Sequence, residues 1–168
     1  MCLLNVSSCA ILQHLSESDY REAADLLSHI ILITDIANHV KKMPEMEEIA
    51  KPNVFDKNNT EHQYHLLGLL MTCSDLSQVT KPLKTALAIC ELIREEFHQQ
   101  GDAEKLRGHT PHPMMDRSQS NLPNEQIGFI KHLALPAFET LSSIVPESMA
   151  ATNTVKSLLS YWENQVKQ

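Results

Sequence analysis

The sequence has little of what builds sheets, tight turns or membrane spans. Only 4 of its 168 residues are glycine, and aromatic residues make up 5%. Apolar residues do not alternate with polar ones, as they would in half-buried strands. No apolar run approaches the ~20 residues that cross a bilayer as a helix. These absences predict an all-α protein without a membrane span, and a hydrophobic content of 42% is enough for a core.

Positive charge is also scarce. The chain has 14 lysines and arginines against 21 aspartates and glutamates, and its formal net charge is −7. Such a chain repels the phosphate backbone, so nucleic-acid binding is not expected as its main function. An anionic phosphate ligand would need local help from a metal ion or from a helix N-terminus.

The cysteines show no metal-binding or disulfide-framework spacing. The four are Cys2, Cys9, Cys73 and Cys90, and no CxxC pair occurs among them. We interpret them as reduced thiols of a cytoplasmic protein. The N-terminal segment lacks the basic residues that begin a signal peptide.

Helical periodicity organises the first half of the chain. One long helix is predicted from the N-cap Ser16 to Lys42, and Pro44 should end it and leave a short helical turn behind. A second helix should begin at a capping box that pairs Asn58 with Glu61, and break after residue 79.

The second half continues the pattern with three more helices. The third should open at Pro82 and end at Gly101, because proline suits a helix start and glycine a helix end. A polar loop follows over residues 101–123. The fourth helix carries Pro136 internally, which predicts a kink, and a last helix should run over residues 147–166.

Histidines and aspartates raise the question of a metal. Nine histidines are present, but no HExxH motif occurs, and we interpret most of them as exposed or singly hydrogen-bonded. Asp35 and Asp75 each end an apolar stripe. Either is a helix-end or ion-paired carboxylate, or else a metal ligand on a rigid helix. A catalytic metal needs at least three protein ligands, so the spacing of these histidines and aspartates does not by itself define an active site.

Gln126 and Phe129 stand three residues apart on a predicted helix. Side chains at this spacing point the same way. One interpretation is a surface amide beside a core ring. The other is a pocket for a flat ligand, in which Phe129 stacks on the ring and the Gln126 amide, both donor and acceptor, pairs with its edge.

Five motifs then carry a family resemblance. They occur in the order "ILITDIANH", "LLMTCSDLSQVTKP", "EEFHQQGDAEKLRG", "PMMDR" and "NEQIGFI". Together they resemble the C-terminal half of class I cyclic nucleotide phosphodiesterase catalytic domains, from about Leu3 to Trp162. Within the family the chain is most similar to GAF-containing members, of the cyclic-GMP-stimulated type.

The resemblance implies an HD-type multi-helix bundle that hydrolyses cyclic AMP or cyclic GMP to the 5′-monophosphate. Asp75 matches a ligand of the family's two-metal centre, which holds zinc together with magnesium or manganese. Gln126 matches the glutamine that binds the base, and Phe129 matches the phenylalanine that stacks on it. Further residues matching the nucleotide pocket are Ile36, Val79, Cys90, Ile93 and Phe97.

The same resemblance predicts that residues 1–168 form a partial catalytic domain. The N-terminal half, with the other metal ligands and the histidine that protonates the leaving oxygen, has no counterpart here. No catalytic residue is therefore assigned, metal binding by this chain alone is not expected, and neither is turnover. The implied partners are a cyclic nucleotide and, for the full-length protein, a second copy. The alternative is a non-catalytic helical protein that binds a nucleotide or a partner, and the upstream gene sequence would distinguish the two.

Overall fold

A computed structural model describes Leu4 and residues 6–167, and all regular secondary structure in that part is helical. The all-α prediction is confirmed. Cys2 and Leu3 lie outside the described residues. The α-helices are α1 (Glu17–Leu32), α2 (Ile36–Ile49), α3 (Thr60–Asp75), α4 (Leu83–Leu106), α5 (Leu122–Phe129), α6 (Leu135–Ile144) and α7 (Met149–Val166).

The first predicted helix is two helices, so that prediction is wrong in its length. The N-cap Ser16 is confirmed, because its hydroxyl accepts from the Asp19 N–H at 3.1 Å. The chain then leaves α1 after Leu32, and Asp35 takes an extended conformation with φ −67° and ψ 113°. Its carboxylate accepts from the Ala37 N–H at 2.9 Å and so caps a new helix, α2. A side chain that satisfies a free N–H competes locally with helix continuation.

Pro44 does not end a helix, contrary to the prediction. It lies inside α2, which continues to Ile49. The short helical turn expected after the proline is therefore part of α2. The proline removes one hydrogen bond, to the Val40 carbonyl. Burial of Met46, which is 2% exposed, offsets that loss because it anchors the last turns of α2 in the core.

The start of α3 lies one residue beyond the predicted cap. Asn59, rather than Asn58, accepts from the backbone N–H groups of Glu61 at 2.9 Å and His62 at 3.3 Å. The helix ends at Asp75, and a 3₁₀ turn over Ser77–Thr80 leads into α4. This turn brings the chain back across the bundle toward α7.

Gly101 lies inside α4, so its predicted role as a helix end is wrong. The helix runs on to Leu106, and Gly108 supplies the left-handed backbone after it, with φ +79°. A Cβ atom at Gly101 would lie 2.0 Å from the Met115 carbonyl oxygen. The glycine is required because another segment packs directly against the helix backbone.

The irregularity expected near Pro136 takes the form of a π-helical segment. It covers Ile130–Ala134 and joins α5 to α6, which starts one residue before the proline. The pyrrolidine ring needs room beside the preceding turn and offers no N–H to it. The backbone hydrogen bonds there therefore change from the α-helical to the wider π-helical pattern.

The main core lies among α5, α6 and α7 and the facing ends of α3 and α4. Its fully buried members, each 0% exposed, are Leu69, Ile130, Ala134, Ala137 and Val155. The Thr152 hydroxyl bonds the Phe138 carbonyl at 2.9 Å and the Ser142 hydroxyl at 2.6 Å, which ties α7 to α6. Among the described residues, no helix is long and apolar enough to cross a membrane.

Candidate functional site

A cavity of about 400 Å³ opens between α4, α5, α7 and the 3₁₀ turn that follows α3. Helix α4 forms one wall with Ala86, Cys90, Ile93 and Phe97. These positions recur every three or four residues, so they form one stripe along the helix. The wall is apolar, and a flat uncharged ring is the kind of group it can take up.

Helix α5 forms the opposite wall with a second stripe. Leu122, Glu125, Gln126 and Phe129 all line the cavity. The Gln126 amide makes no hydrogen bond with any described residue, so its donor and acceptor are both free to pair with a ligand in either orientation. Phe129 is half-buried beside it, one turn further along.

The first turn of α5 is held by two reciprocal hydrogen bonds. The Asn121 side chain accepts from the Asn124 N–H at 3.3 Å. The Glu125 carboxylate in turn accepts from the Asn121 N–H at 2.7 Å. Such capping fixes the start of the helix and therefore the position of the amide on its second turn.

The back of the cavity is formed by Val79, Leu158 and Trp162, which are 2%, 7% and 6% exposed. Trp162 is the only tryptophan of the chain. Its indole N–H is buried without a hydrogen-bond partner among the described residues. A buried donor of this kind is costly to leave unpaired.

Charge near the cavity is confined to its edge. Arg94 and Glu125 line it, and the Arg94 guanidinium is already bonded to the Glu91 carboxylate through Nε at 2.9 Å and Nη2 at 2.5 Å. Burial, reinforced by the nearby Glu91, raises the pKa of the Cys90 thiol to about 11. The cysteine in the wall is therefore a neutral, unreactive thiol at neutral pH.

The structure brings seven of the eight residues that the family resemblance matched to a functional site to this one cavity. They are Ile36, Val79, Cys90, Ile93, Phe97, Gln126 and Phe129. Ile36, at the start of α2, is 51% exposed and stands at the mouth. Their contact with a nucleotide stays a prediction.

Asp75 does not join them. It is the last residue of α3, it is exposed, and its carboxylate forms no ion pair or hydrogen bond with the described part of the chain. At the end of its apolar run the carboxylate therefore meets water.

The described residues do not fit a catalytic metal ion. No group of three or more histidines, cysteines, aspartates or glutamates is placed to hold one within Leu4 and residues 6–167. A single carboxylate such as Asp75 falls short of the three ligands that a catalytic metal needs. The role of Asp75 as a metal ligand remains a prediction, and no chemical step is derived through a metal here.

Several cavity residues were not found from the sequence. Leu122 and Glu125 lie one turn before Gln126 and Phe129, so helical spacing could have located them. Met114 belongs to a segment without periodicity and gave no such signal. Trp162 and Leu158 stand four residues apart on α7, but only packing shows that this face of α7 meets the cavity.

Comparison with known proteins agrees with this architecture. Residues 1–155 match the family described as 3′5′-cyclic nucleotide phosphodiesterase. The chain is 34% identical over 159 residues to a probable 3′,5′-cyclic phosphodiesterase, pde-5, of Caenorhabditis elegans, covering 94% of this chain and 22% of that protein. It is 36% identical over 146 residues to the cGMP-specific 3′,5′-cyclic phosphodiesterase of Drosophila melanogaster, covering 86% of this chain and 13% of that one.

A solved structure shares the fold. The structure of LmjPDEB1 in complex with IBMX superposes with a TM-score of 0.88 at 32% identity, over 98% of this chain and 49% of that chain. This chain thus spans about half of that solved chain. The helical bundle expected from the family resemblance is confirmed. With a match that covers residues 1–155 of 168, the chain belongs to the 3′,5′-cyclic nucleotide phosphodiesterase family.

Proposed function

We propose that this chain is the base-binding part of a cyclic nucleotide phosphodiesterase, an enzyme that hydrolyses a 3′,5′-cyclic nucleotide to its 5′-monophosphate. The observation that carries the proposal is the cavity between α4 and α5. Gln126 and Phe129 face it together, and the opposite wall is apolar.

The proposed role of each residue follows from its chemistry. Phe129 stacks on one face of the purine, and the α4 wall of Ile93 and Phe97 contacts the other. The free Gln126 amide donates one hydrogen bond to the base edge and accepts another. Burial of these groups in an apolar slot makes the pairing selective, because a ligand without matching polar atoms leaves the amide unsatisfied.

Between the two cyclic nucleotides we propose cyclic GMP. The names of the Drosophila relatives, which are cGMP-specific phosphodiesterases, favour this choice. The guanine edge presents a carbonyl oxygen and an adjacent N–H, and a single amide can satisfy both. The orientation of Gln126 decides the preference, and the described residues do not bond it in either orientation.

Hydrolysis itself requires catalytic groups in addition to the described residues. A water molecule must be activated, the leaving oxygen must be protonated, and the charge on the phosphodiester must be neutralised. Asp75 is the one carboxylate that we assign to this task, as a proposed ligand of a divalent metal, zinc or magnesium, in the complete domain. We also propose that the complete protein is cytoplasmic and forms a homodimer.

Tryptophan fluorescence tests the base-binding proposal directly. Trp162 is the only tryptophan and lines the cavity, so cyclic GMP, cyclic AMP and IBMX should each perturb its emission on titration. Gln126→Ala should weaken the binding of cyclic GMP by about 1–3 kcal/mol, which is the cost of leaving buried polar atoms unpaired. Gln63→Ala, an exposed glutamine on α3, is the matched control and should leave affinity unchanged. Equal affinity in both variants would refute the assignment of Gln126.

A turnover assay tests whether this chain binds the nucleotide without hydrolysing it. The 168-residue chain should not hydrolyse cyclic GMP even when zinc and magnesium are added, because Asp75 has no partner ligands among the described residues. Hydrolysis above a blank that Asp75→Ala abolishes would show that the chain is sufficient alone. Binding without turnover is also what the non-catalytic alternative predicts. Paired histidine and aspartate motifs in the upstream gene sequence would favour the enzyme over that alternative.

A further inference from the structure

We propose that Lys131 and Glu163, neither of which lines the cavity, are positioning residues for its α5 wall. They act through the π-helical segment Ile130–Ala134, which inserts one residue into the helix and so sets the direction in which Gln126 and Phe129 point. Their effect on a ligand rests on the proposed function, whereas the register of the helices does not.

The π-helical segment lies within one continuous helix that runs from Leu122 through α5 and α6 to Ile144. In this segment the Leu135 N–H donates to the Ile130 carbonyl, which stands five residues back instead of the four of an α-helix. The segment therefore takes up one residue more than an α-helical turn. Each residue of an α-helix turns the chain by about 100°. Relative to α6, the side chains of α5 thus point about 100° away from where an uninterrupted α-helix would direct them.

Two ion pairs with α7 show the inserted residue independently. The Lys131 ammonium lies 2.6 Å from a Glu163 carboxylate oxygen. The Lys156 ammonium lies 2.7 Å from a Glu139 carboxylate oxygen. On α7 the two partners stand seven residues apart, which is two α-helical turns. On the facing helix they stand eight residues apart, so eight residues across the π-helical segment match seven of α7.

The buried face of the long helix has the same register. In an uninterrupted α-helix residues seven apart lie in line, which would align Phe129 with the half-buried Pro136. With one inserted residue the spacing becomes eight, so Gln126 lines up with Ala134 and Phe129 with Ala137. Both alanines are 0% exposed. The stripe that anchors α6 in the core therefore continues into the cavity wall of α5.

The water-facing side of this helix agrees with the buried face. Asn124, Lys131 and Glu139 are all exposed. They follow one another at a spacing of seven residues and then of eight, and the longer step crosses the π-helical segment. The buried face, the exposed face and the two ion pairs thus give one register.

The α5 helix depends on this register for its own orientation. None of its eight residues is fully buried in the described structure, so its direction follows from where the continuing helix is held. Lys131 is the first charged residue after α5, and its bond to Glu163 fixes that point against α7. Hydrogen bonding to Lys131 also lowers the pKa of the Glu163 carboxyl. Such an exposed pair adds little to stability, so we expect its effect on the angle of α5 rather than on unfolding.

The first experiment changes the number of residues and needs no ligand. Deletion of His132, an exposed residue of the π-helical segment, should leave an uninterrupted α-helix in which both flanking parts keep their directions. The deletion is made together with Pro136→Ala, because a proline inside a regular helix removes a hydrogen bond. In the full chain it should melt no lower than Pro136→Ala alone.

Deletion of Ser157 is the matched control. This residue is exposed and lies in the regular helix α7, between the two residues that form the ion pairs. Its loss rotates one half of α7 against the other, so the melting temperature should fall. Equal losses in the two deletions would overturn the assignment of an inserted residue.

The second experiment turns α5 on purpose. An alanine inserted after His132 makes nine residues face seven and should rotate α5 by about 100°. Cyclic GMP, titrated against Trp162 fluorescence, should then bind about ten-fold more weakly, because the Gln126 amide no longer faces the cavity. The His132 deletion should keep the affinity of its Pro136→Ala parent. Insertion and deletion variants that bind alike would contradict the link between register and cavity.

The third experiment tests the ion pair itself. Lys131→Glu places two carboxylates against each other and should weaken the binding of cyclic GMP by about ten-fold with little change in melting temperature. The double variant Lys131→Glu/Glu163→Lys restores the attraction and should restore the affinity. Arg21→Glu, which breaks an exposed pair with Glu17 within α1, is the control and should bind as the wild type does. A double variant as weak as Lys131→Glu, or a single variant as strong as the wild type, would overturn the positioning role.

Failure of the proposed function gives a different result. Wild-type protein that binds neither cyclic GMP nor IBMX would refute the base-binding proposal and, with it, the effect of Lys131 on a ligand. The melting temperatures of the two deletion variants would still decide whether the π-helical segment holds one inserted residue.

Discussion

The two halves of this molecule differ in how much of the hydrophobic core they bury. Around the cavity, α4 to α7 bury most of the core, and Asp116 and Arg117 bond the segment 109–121 to α4. In contrast, α1 adds no described residue to the main core. Large apolar side chains stay exposed on α1, α2 and α3: Ile31 at 63%, Leu32 at 65%, Ile36 at 51%, Val40 at 53%, and Leu67 and Leu70 at 38% each.

Buried polar groups are satisfied to different degrees in both halves. In the cavity half, Asp116 is buried and accepts four hydrogen bonds. In the α1–α3 half, His39 is 1% exposed and neither ring nitrogen has a hydrogen-bond partner in the described structure. Natural cores pair most buried polar groups. The cavity half also leaves two buried groups unpaired, His98 Nε2 and the Trp162 indole N–H. The two halves therefore differ in how much of the core they bury, and not in whether every buried polar group is satisfied.

A core substitution should give the largest effect and establish the comparison. Phe138→Ala empties a site that is 4% exposed at the centre of the cavity half, so the free energy of unfolding should fall by about 3–5 kcal/mol. Leu32→Ala, at 65% exposure on α1, should change it by no more than about 0.5 kcal/mol. Urea denaturation measures both. A comparable loss in the two variants would show that α1 is as tightly packed as α6.

Self-association should follow from the exposed surface of α1–α3, because large apolar patches drive proteins together. Sedimentation velocity should show assemblies that grow with concentration and that the double variant Ile31→Lys/Leu32→Lys reduces. The control is Leu92→Lys/Leu106→Lys on α4, where the side chains are 71% and 90% exposed. A monomer at all concentrations would contradict the contrast between the halves.

His39 should make the α1–α3 half sensitive to mild acid. Burial lowers the pKa of His39 below its ordinary value of 6.5. The unfolded chain then binds a proton that the folded chain does not, so stability is full above about pH 6.5 and falls as the pH drops below it. Hydrogen exchange, corrected for the slower intrinsic amide exchange in acid, should show protection factors that fall first in α2 between pH 6.5 and 5.

The variant His39→Leu removes the titrating ring and both unpaired nitrogens. It should abolish this pH dependence and raise stability at neutral pH by about 1–3 kcal/mol, the cost of an unsatisfied buried polar group. A pH profile identical to that of the wild type would assign the acid sensitivity to another group.

The segment 109–121, which Arg117 bonds to Glu95 on α4, should withstand the same mild acid and show the smallest change. Hydrogen bonds from Arg117, and secondarily from Gln99, lower the pKa of Glu95 from 4.5 to about 2. For a depressed carboxyl pKa, the contribution to stability is present above pH 4.5 and is lost as the pH falls toward 2. Acrylamide quenching of Trp162 should therefore stay constant from pH 7 to 5 and rise only below pH 4.5. A rise already at pH 6 would show that the Arg117–Glu95 contact does not control the access of acrylamide to Trp162.

Local sequence rules determined the helical class and the faces of the helices. The spacing of Gln126 and Phe129 put both on one side of α5, and the stripe on α4 ran through Cys90, Ile93 and Phe97. Ser16 was recognised as an N-cap because a hydroxyl at that position satisfies a free N–H. Such features depend on neighbours within one or two turns, which a sequence displays directly.

Only the tertiary structure decided where helices end and what closes the cavity. Gly101 and Pro44 both lie inside helices, because contacts with Met115 and burial of Met46 outweigh propensities of about 1–3 kcal/mol. The placing of Met114 and Trp162 in one cavity depends on segments far apart in the chain. No local pattern encodes that meeting, because it results from the packing of whole helices against one another.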